Sequence, residues 1–340
     1  MTPGISRRVV LAQRPSGMVQ EEDLRIEQVQ VPEPARGEAL VKVLYLSIDP
    51  TIRTWMNDAA GYLPPIPLGG VVRSLGVGRV IKTHTDRYNE GDLVMGMTGW
   101  QDFVVAGSGG PAETSAMEVL QAGTDPLVAL SALGITGLAA YFGMVDIGRI
   151  VRGDTVVVSG AGGATGSAAG QIARIKGASR VVGIAGTAEK CRWICDDLGF
   201  DAAVNYRTDD VTARLREACP DGIDLFFDNV GGAILDTCLA QLAMRGRVVL
   251  CGAIATYNDP RPPAGLRNYR ILIPRRGRME GFIILDFIDQ FPDARSEMMS
   301  WIDAGRLKHL EHVVHGLDHA PSALNLLFTG DHNGKVIVEL

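Results

Sequence analysis

Cysteine is missing from the first 190 residues of this 340-residue chain, and the five present (Cys191, Cys195, Cys219, Cys238 and Cys251) fall in one middle stretch. An odd, clustered set of thiols argues against a disulfide framework. Cys191 and Cys195 stand one helical turn apart, a spacing a metal can use but which two small residues on one helix explain more simply. No apolar run reaches the roughly 20 residues that a bilayer helix needs, so no membrane span is expected. Near the start, Arg7 and Arg8 precede only Val9 to Ala12, too short for a signal-peptide core; this reads as a first strand, and the cytoplasm is the expected compartment. Basic residues are the minority, 33 against 39 acidic, and the net charge of −6 disfavours nucleic acid and anionic membranes as partners. The Gly-x-Ser-x-Gly elbow and the phosphate loop ending in Gly-Lys-Ser/Thr are both absent, which removes the motif basis for a hydrolase or a kinase. With 46% hydrophobic and 21% charged residues, the chain is long enough for two domains around large cores.

What is present is a glycine-dense turn. Val156-Val157-Val158-Ser159 runs into Gly160-Ala161-Gly162-Gly163-Ala164-Thr165-Gly166-Ser167, and Ala168, Ala169, Ile172, Ala173 and Ile175 follow at helical spacing. That is the order of a strand, a phosphate-binding turn and a helix N-terminus. Ala161 stands where the dinucleotide fingerprint has its first glycine. Gly163 lets the backbone approach a pyrophosphate, with Ala164 beside it, and Gly166 lets the helix pack tightly. The free N–H groups and positive dipole end of that helix hold the phosphate charge.

The second strand of such a domain tells the two nicotinamide cofactors apart. An NAD-selecting domain carries Asp or Glu at its end to bind the ribose 2′-hydroxyl. Here Arg180 to Ile184 runs into Ala185-Gly186-Thr187-Ala188-Glu189-Lys190, so the strand ends at Gly186, without a side chain. Thr187 can donate a hydrogen bond, Lys190 and Arg192 add positive charge, and Glu189 can point away on its helix. These residues favour NADPH over NADH, although Lys190 and Arg192 also read as ordinary solvated helix charges.

The flanking pattern is α/β. Residues 1 to about 125 are rich in short strands and turns, such as Ala39–Leu44, Gly76–Ile81 and Asp92–Gly96, with helical material from Leu127 to Tyr141. From Asp154, strands are expected at Thr155–Ser159, Arg180–Ile184, Ala203–Asn205, Asp224–Asp228, Arg247–Cys251 and Met279–Leu285. Helices between them include Ser167–Lys176, Glu189–Leu198 and Ile234–Leu242. Six strands with crossover helices imply a doubly wound parallel sheet. The tail returns to strand, helix and strand. His309, His312, His315 and His319 invite a metal reading there, but Gly316 breaks their helical phase. Zinc catalysis on this architecture takes Cys, His and carboxylate ligands mostly from the first domain. Residues 1–125 offer no cysteine and one histidine, His84, and no four-cysteine lobe exists. No metal is expected.

The chain resembles the zinc-independent medium-chain dehydrogenase/reductases, in the branch of NADPH-dependent alkenal/one, prostaglandin and curcumin reductases. The resemblance spans nearly the whole chain. It rests on Tyr45-Leu46-Ser47-Ile48-Asp49-Pro50-x-x-Arg53, Leu133-Gly134-x-x-Gly137-Leu138-x-Ala140-Tyr141 and Gly163-Ala164-x-Gly166-Ser167. It continues through Glu189-Lys190, Phe227-Asp228-Asn229-Val230-Gly231-Gly232, Cys251-Gly252-Ala253-Ile254 and Gly281-Phe282.

The resemblance implies a GroES-like β-rich catalytic domain (1–126, completed by 305–340) and a Rossmann NADPH-binding domain (127–304), as a homodimer. It implies reduction of a carbon–carbon double bond conjugated to a carbonyl, with hydride delivered to the β-carbon. Tyr257 matches a tyrosine near substrate and nicotinamide, and its phenol would donate to the developing enolate oxygen. Lys190 and Tyr206 would contact the 2′-phosphate side, and Asn229 would hydrogen-bond the cofactor. Backbone from Cys251 through Ala253 to Tyr257, and from Phe282 to Ile284, would line the nicotinamide pocket.

Two departures stand out. Thr51 replaces a family tyrosine that faces substrate, and Tyr62, which matches a tyrosine of the curcumin reductases, is the candidate to compensate. A family asparagine near the C-terminus aligns with His332, and Asn333 takes the next position as the cofactor contact. A quinone oxidoreductase on the same scaffold, or an NADPH-binding protein without catalysis, are the competing readings.

Overall fold

The computed structural model describes residues 4–59, 61–107, 117–261 and 264–340. The chain divides into two compact units, one made of Met1–Leu130, Glu311–Asp331 and Val336–Leu340, the other of Ser131–Leu310 and His332–Lys335.

The first unit is built from short strands because glycine, proline and Asp/Asn turns interrupt every apolar run. It begins with β1 (Ile5–Leu11), β2 (Leu24–Gln30), β3 (Ala39–Ser47) and the short helix α1 (Thr51–Trp55). It continues with β4 (Leu75–Thr83), β5 (Leu93–Met97), β6 (Phe103–Ala106), β7 (Glu118–Val119) and α2 (Pro126–Leu130). Strands β1 and β2 pair antiparallel across seven residues, from Ile5 opposite Gln30 to Leu11 opposite Leu24. β3 is the hub of an antiparallel sheet, flanked by β4 and also paired by β6. Val41, Val43, Leu46, Ile52, Met56 and Trp100 fill its core.

The second unit opens with α3 (Ile135–Phe142), whose last turn relaxes into a π-turn over Gly143–Ile147. Alternation then begins: β8 (Thr155–Ser159), α4 (Ala164–Ile175), β9 (Arg180–Ala185), α5 (Ala188–Asp196), β10 (Ala202–Asn205) and α6 (Val211–Ala218). β11 (Ile223–Asp228), α7 (Gly232–Leu239), β12 (Leu242–Leu250), α8 (Leu272–Arg275), β13 (Arg278–Gly281) and α9 (Phe291–Asp303) complete it. The sheet order β10-β9-β8-β11-β12-β13 is all parallel and is the doubly wound Rossmann order, with the reversal between β8 and β11. Val157, Val182, Phe226 and Val248 are buried between its helices, as expected for near-continuous apolar strands covered on both faces.

The tail supplies β14 (Glu311–His315), α10 (Ala320–Thr329) and β15 (Lys335–Glu339). Strands β14 and β15 join the antiparallel sheet beside β3. The expected last strand of the parallel sheet, Met279–Leu285, is corrected by the structure. β13 stops at Gly281, and Ile284–Gln290 forms a 3-10 turn. Other boundaries move as well: α4 starts at Ala164 rather than Ser167, α5 ends at Asp196 rather than Leu198, α7 spans Gly232–Leu239 rather than Ile234–Leu242, and β12 begins at Leu242, five residues ahead of Arg247. The helical material predicted from Leu127 to Tyr141 is two helices, α2 and α3.

Candidate active site

In open parallel sheets ligands bind outside the carboxyl ends of the strands, at the point where the strand order reverses. The turn between β8 and α4 lies there. Gly163 is the N-cap of α4, so the first N–H groups of that helix point out over the turn. A side chain at Gly163 would meet only the Gly160 carbonyl, at 3.4 Å, which leaves open space for an approaching anion. Gly166 differs. A Cβ there would lie 2.3 Å from the Gly160 carbonyl oxygen, so this glycine closes the helix onto the turn itself. Ala161 is fully buried, and its N–H donates to the Ile184 carbonyl at 3.0 Å. Its methyl fits because the facing strand offers Gly183, where an added Cβ would come within 2.9 Å of the Ala161 methyl. The alanine in the fingerprint is therefore matched by a glycine in β9. Ala164 is the first residue of the helix.

The tail reaches the same turn. Gly334 forms a parallel bridge with Gly163, and its N–H donates to the Gly162 carbonyl at 3.0 Å. Gly334 has φ of +66°, and a Cβ on it would stand 2.0 Å from the Leu310 carbonyl oxygen. Asn333 and His332 are thereby carried to the edge of the turn.

At the end of β9, Gly186 is covered by a ring. A Cβ there would be 2.9 Å from the Tyr206 hydroxyl, so an Asp or Glu at this position would have to displace that phenol. Tyr206 is 43% exposed, and the Arg207 guanidinium lies 5.8 Å from its ring centroid. Thr187 caps α5. Its hydroxyl oxygen accepts from the Lys190 N–H at 3.1 Å, which leaves the hydroxyl proton able to donate outward. Lys190 is 9% exposed, and its stem runs along the phosphate turn, with its Cδ 2.9 Å from where a Cβ on Gly162 would sit. Sequence reasoning did not single out Arg207. Its signal was adjacency to Tyr206 in the turn after β10.

The ends of β8 and β11 are tied together by a buried carboxylate. Asp228 accepts from the Ser159 hydroxyl at 2.7 Å, from the Val230 N–H at 3.1 Å and from the Gly231 N–H at 3.0 Å. Burial raises this carboxyl above the usual range, and the bonds from Ser159, Gly231 and Val230 oppose the shift. Asn229 takes its place through this network. Its N–H donates to the Ser159 hydroxyl at 2.8 Å, and its Nδ2 donates to the Ser159 carbonyl at 2.7 Å.

After β12 the chain turns through Cys251, whose N–H donates to the Asp228 carbonyl at 2.9 Å. Burial pushes the Cys251 thiol up to about 12, so it is a neutral thiol here rather than a nucleophile. The Ala253 N–H donates to the Tyr257 hydroxyl oxygen at 3.0 Å. A phenol that accepts a hydrogen bond at oxygen has its own O–H polarised for donation. Phe282 follows β13, packs edge-on to Phe287 at 6.3 Å and leads into Ile284. Gly143 makes room for this ring, since a Cβ there would meet Phe227 at 2.5 Å and Phe282 at 3.1 Å. The structure thus gathers the predicted residues of this unit at the carboxyl edge of one sheet.

Tyr62 belongs to the β-rich unit. It is 47% exposed and stands edge-on to Trp55, with centroids 6.2 Å apart. Burial of the phenol oxygen raises its pKa, and hydrogen bonding with Thr51 pulls it back. The residue that departs from the family pattern therefore touches the tyrosine expected to compensate for it. Arg73 lies over the other partner, 5.4 Å from the Trp55 ring, and donates to the Pro64 carbonyl at 3.0 Å, bracing the segment that carries Tyr62.

A family model described as an N-terminal domain of oxidoreductase matches residues 7–113, and one described as a zinc-binding dehydrogenase matches residues 164–303. The second description names zinc, but the donor set does not fit that ion. Residues 1–126 contain no cysteine, and among the described residues no group of three His, Cys, Asp or Glu side chains is placed to hold a metal. The NADPH-dependent curcumin reductase of Escherichia coli (strain K12) is 36% identical over 343 residues, covering 98% of this chain and 97% of that protein. A 2-alkenal reductase (NADP(+)-dependent) of Nicotiana tabacum is 36% identical over 340 residues, with the same coverage. The crystal structure of CurA in complex with NADPH from Vibrio vulnificus superposes with a TM-score of 0.92 at 36% identity, covering 98% of both chains. On the glycine turn, the strand order and these full-length matches, the chain belongs to the medium-chain dehydrogenase/reductase superfamily, in the branch of the NADPH-dependent curcumin, alkenal and prostaglandin reductases.

Proposed function

We propose that this protein reduces the carbon–carbon double bond of α,β-unsaturated ketones and aldehydes with NADPH, without a metal. When bound, NADPH supplies a hydride, which goes to the β-carbon of the acceptor. The chain's own residues are left with orientation, stabilisation of the charge that develops on the carbonyl oxygen, and a setting for protonation at the α-carbon. The observation that carries this reading is the Tyr257 phenol oxygen, positioned by the Ala253 N–H at 3.0 Å beside the segment that follows β12. Tyr62 is assigned to the acceptor as the second catalytic-side tyrosine. The names of the relatives, a curcumin reductase and a 2-alkenal reductase, support the acceptor class.

On the cofactor side, the α4 N-terminus with Ala161, Gly163, Ala164 and Gly166 takes the pyrophosphate. Thr187, Lys190 and Tyr206 take the 2′-phosphate around the bare strand end at Gly186. Asn229, Asn333 and the segments at Cys251–Ala253 and Phe282–Ile284 take the nicotinamide half. We also infer a cytoplasmic homodimer. In its support, no helix among the described residues is long and apolar enough to cross a membrane. β13 is an end strand of its sheet, and Leu285 and Ile288 beyond it are 39% and 52% exposed.

The test is loss of NADPH absorbance with the purified full chain. Trans-2-alkenals and 3-nonen-2-one should be reduced faster than quinones, and saturated alcohols should not be oxidised with NADP⁺. No turnover across the enone panel would overturn the proposal, and faster turnover of quinones would transfer the chain to the quinone reading.

A further inference from the structure

Among the described residues, positive φ is glycine's territory with three exceptions. Among the described residues 17 glycines have φ above zero, and the only other residues to do so are Arg149 at +48°, Arg245 at +62° and Arg276 at +51°. In this region the Cβ of an L-residue crowds the backbone, so glycine or asparagine is the low-cost occupant. An arginine kept at such a site points to a task for its side chain. That all three are arginine calls for one explanation.

The three turns lie at one end of one sheet. Arg149 follows the π-turn that closes α3, Arg245 precedes Arg247 in β12, and Arg276 is the left-handed cap of α8, two residues before Arg278 in β13. Arg247 and Arg278 are register partners on adjacent strands. Arg247 donates to the Arg149 carbonyl at 3.0 Å and pairs with Asp154 at 2.6 Å. Arg278 donates to the Ile147 carbonyl, and the Arg276 Nη1 lies 3.3 Å from the Met244 sulfur. Burial, then repulsion from Arg149, hold Arg278 below the usual guanidinium range. These contacts place the arginines together at the amino end of the parallel strands. The nucleotide site is at the carboxyl end, so this surface is independent of the proposed reaction.

The surface is neutralised from within only in part: Arg278 pairs with Glu280 at 3.3 Å, and the remaining carboxylates are taken up close to the strands. Asp154 is engaged by Arg247 and by the Val151 N–H, and Asp224 accepts from the Thr155 N–H. Among the described residues none forms an ion pair with Arg149, Arg152 or Arg245, and all three are exposed, as is Arg276. Apolar side chains stand among them, Val151 at 54% exposure and Met244 at 51%. Arginine without lysine, interleaved with exposed apolar groups, suits carboxylates presented on a polypeptide, which guanidinium forks grip in two-point fashion beside apolar contacts. A small inorganic anion would make no use of Val151 and Met244.

We propose that the amino end of the parallel sheet is a docking surface for an acidic segment of a partner protein, with Arg149, Arg245 and Arg276 as its fixed forks.

The test uses the full chain and a fluorescein-labelled peptide of alternating glutamate and leucine, read by anisotropy at low and at physiological salt. Binding should weaken with salt, and a lysine–leucine peptide should not bind. The triple variant Arg149→Gly, Arg245→Gly, Arg276→Gly should lose at least tenfold in affinity, and each single variant a few-fold. Its Tm should equal or exceed that of the parent, because glycine relieves the backbone at all three turns, and NADPH oxidation with an enone should be unchanged. Equal binding by parent and triple variant would overturn the proposal. So would a lowered Tm or failure to fold, which would give the arginines to the fold. Displacement of the peptide by millimolar inorganic phosphate, or a changed elution mass of the triple variant, would overturn it in favour of a free anion or a second copy of this chain.

Discussion

Two side chains test the proposed roles separately, Tyr257 at the acceptor and Lys190 at the 2′-phosphate. Tyr257→Phe deletes the phenol proton and the acceptor of the Ala253 N–H. If that phenol behaves as an oxyanion donor, kcat should fall by about 10²–10³, or about 2.7–4 kcal/mol, with KM for NADPH nearly unchanged. Steady-state rates on 3-nonen-2-one measure it, and an unchanged kcat would move the role to another donor. Lys190→Ala removes the cation whose stem follows the phosphate turn. A charge-assisted bond to the 2′-phosphate is worth about 1.5–3 kcal/mol. KM for NADPH should therefore rise by roughly one to two orders of magnitude while KM for NADH stays put. Equal effects on both cofactors would undo the assignment. Much at this scale was legible. Gly163, Gly166, the bare strand end at Gly186 and the basic residue Lys190 are all local in sequence. Gly183 was not, because its role is to face Ala161, 22 positions earlier in the chain, and no local pattern records that contact. Nor did the sequence reveal that Tyr206 covers Gly186, since only folding brings the turns after β9 and β10 together.

At the scale of elements, the strands were readable wherever β-branched runs lie between turn residues, and less so where periodicity fades. Thr155–Ser159 came out with the predicted bounds. The run Met279–Leu285 read as one strand because the apolar stretch Phe282–Leu285 follows within three residues of Met279. The structure ends β13 at Gly281 so that Phe282 can turn toward Phe287, a tertiary preference that overrides local β-propensity. The start of α4 at Ala164 follows from Gly163 acting as its cap, while sequence periodicity alone starts three residues later. The contribution of the tail to the nucleotide turn was foreseen only as an alignment of Asn333. The reason for it is Gly334, which bridges Gly163 and which no other residue can replace without meeting Leu310. Gly334→Ala should accordingly cost upwards of about 2 kcal/mol, from overpacking and the left-handed backbone together. Thermal denaturation should show a Tm lower by several degrees and a smaller upward shift on adding NADPH than in the parent. A variant with parental Tm and parental NADPH response would sever the tail from the site.

For the whole molecule, composition set the class early: a mildly acidic chain without a disulfide framework or a membrane span, large enough for two units. The doubly wound order and the antiparallel β-rich unit both follow the expected architecture. Assembly belongs to this scale as well. Sedimentation of the full chain should give twice the 36.4 kDa monomer mass. Replacing Ile288, exposed beyond the end strand, with arginine should shift the chain toward monomer, and a parent that sediments as a monomer would dismiss the dimer. Neither result bears on the reaction itself. The measurement that does is a turnover of 3-nonen-2-one with NADPH carrying deuterium at C4 of the nicotinamide, with the product analysed by NMR. The account predicts a saturated ketone with its carbonyl intact and deuterium on the β-carbon; deuterium on the carbinol carbon of an allylic alcohol, or none in the product, would contradict it.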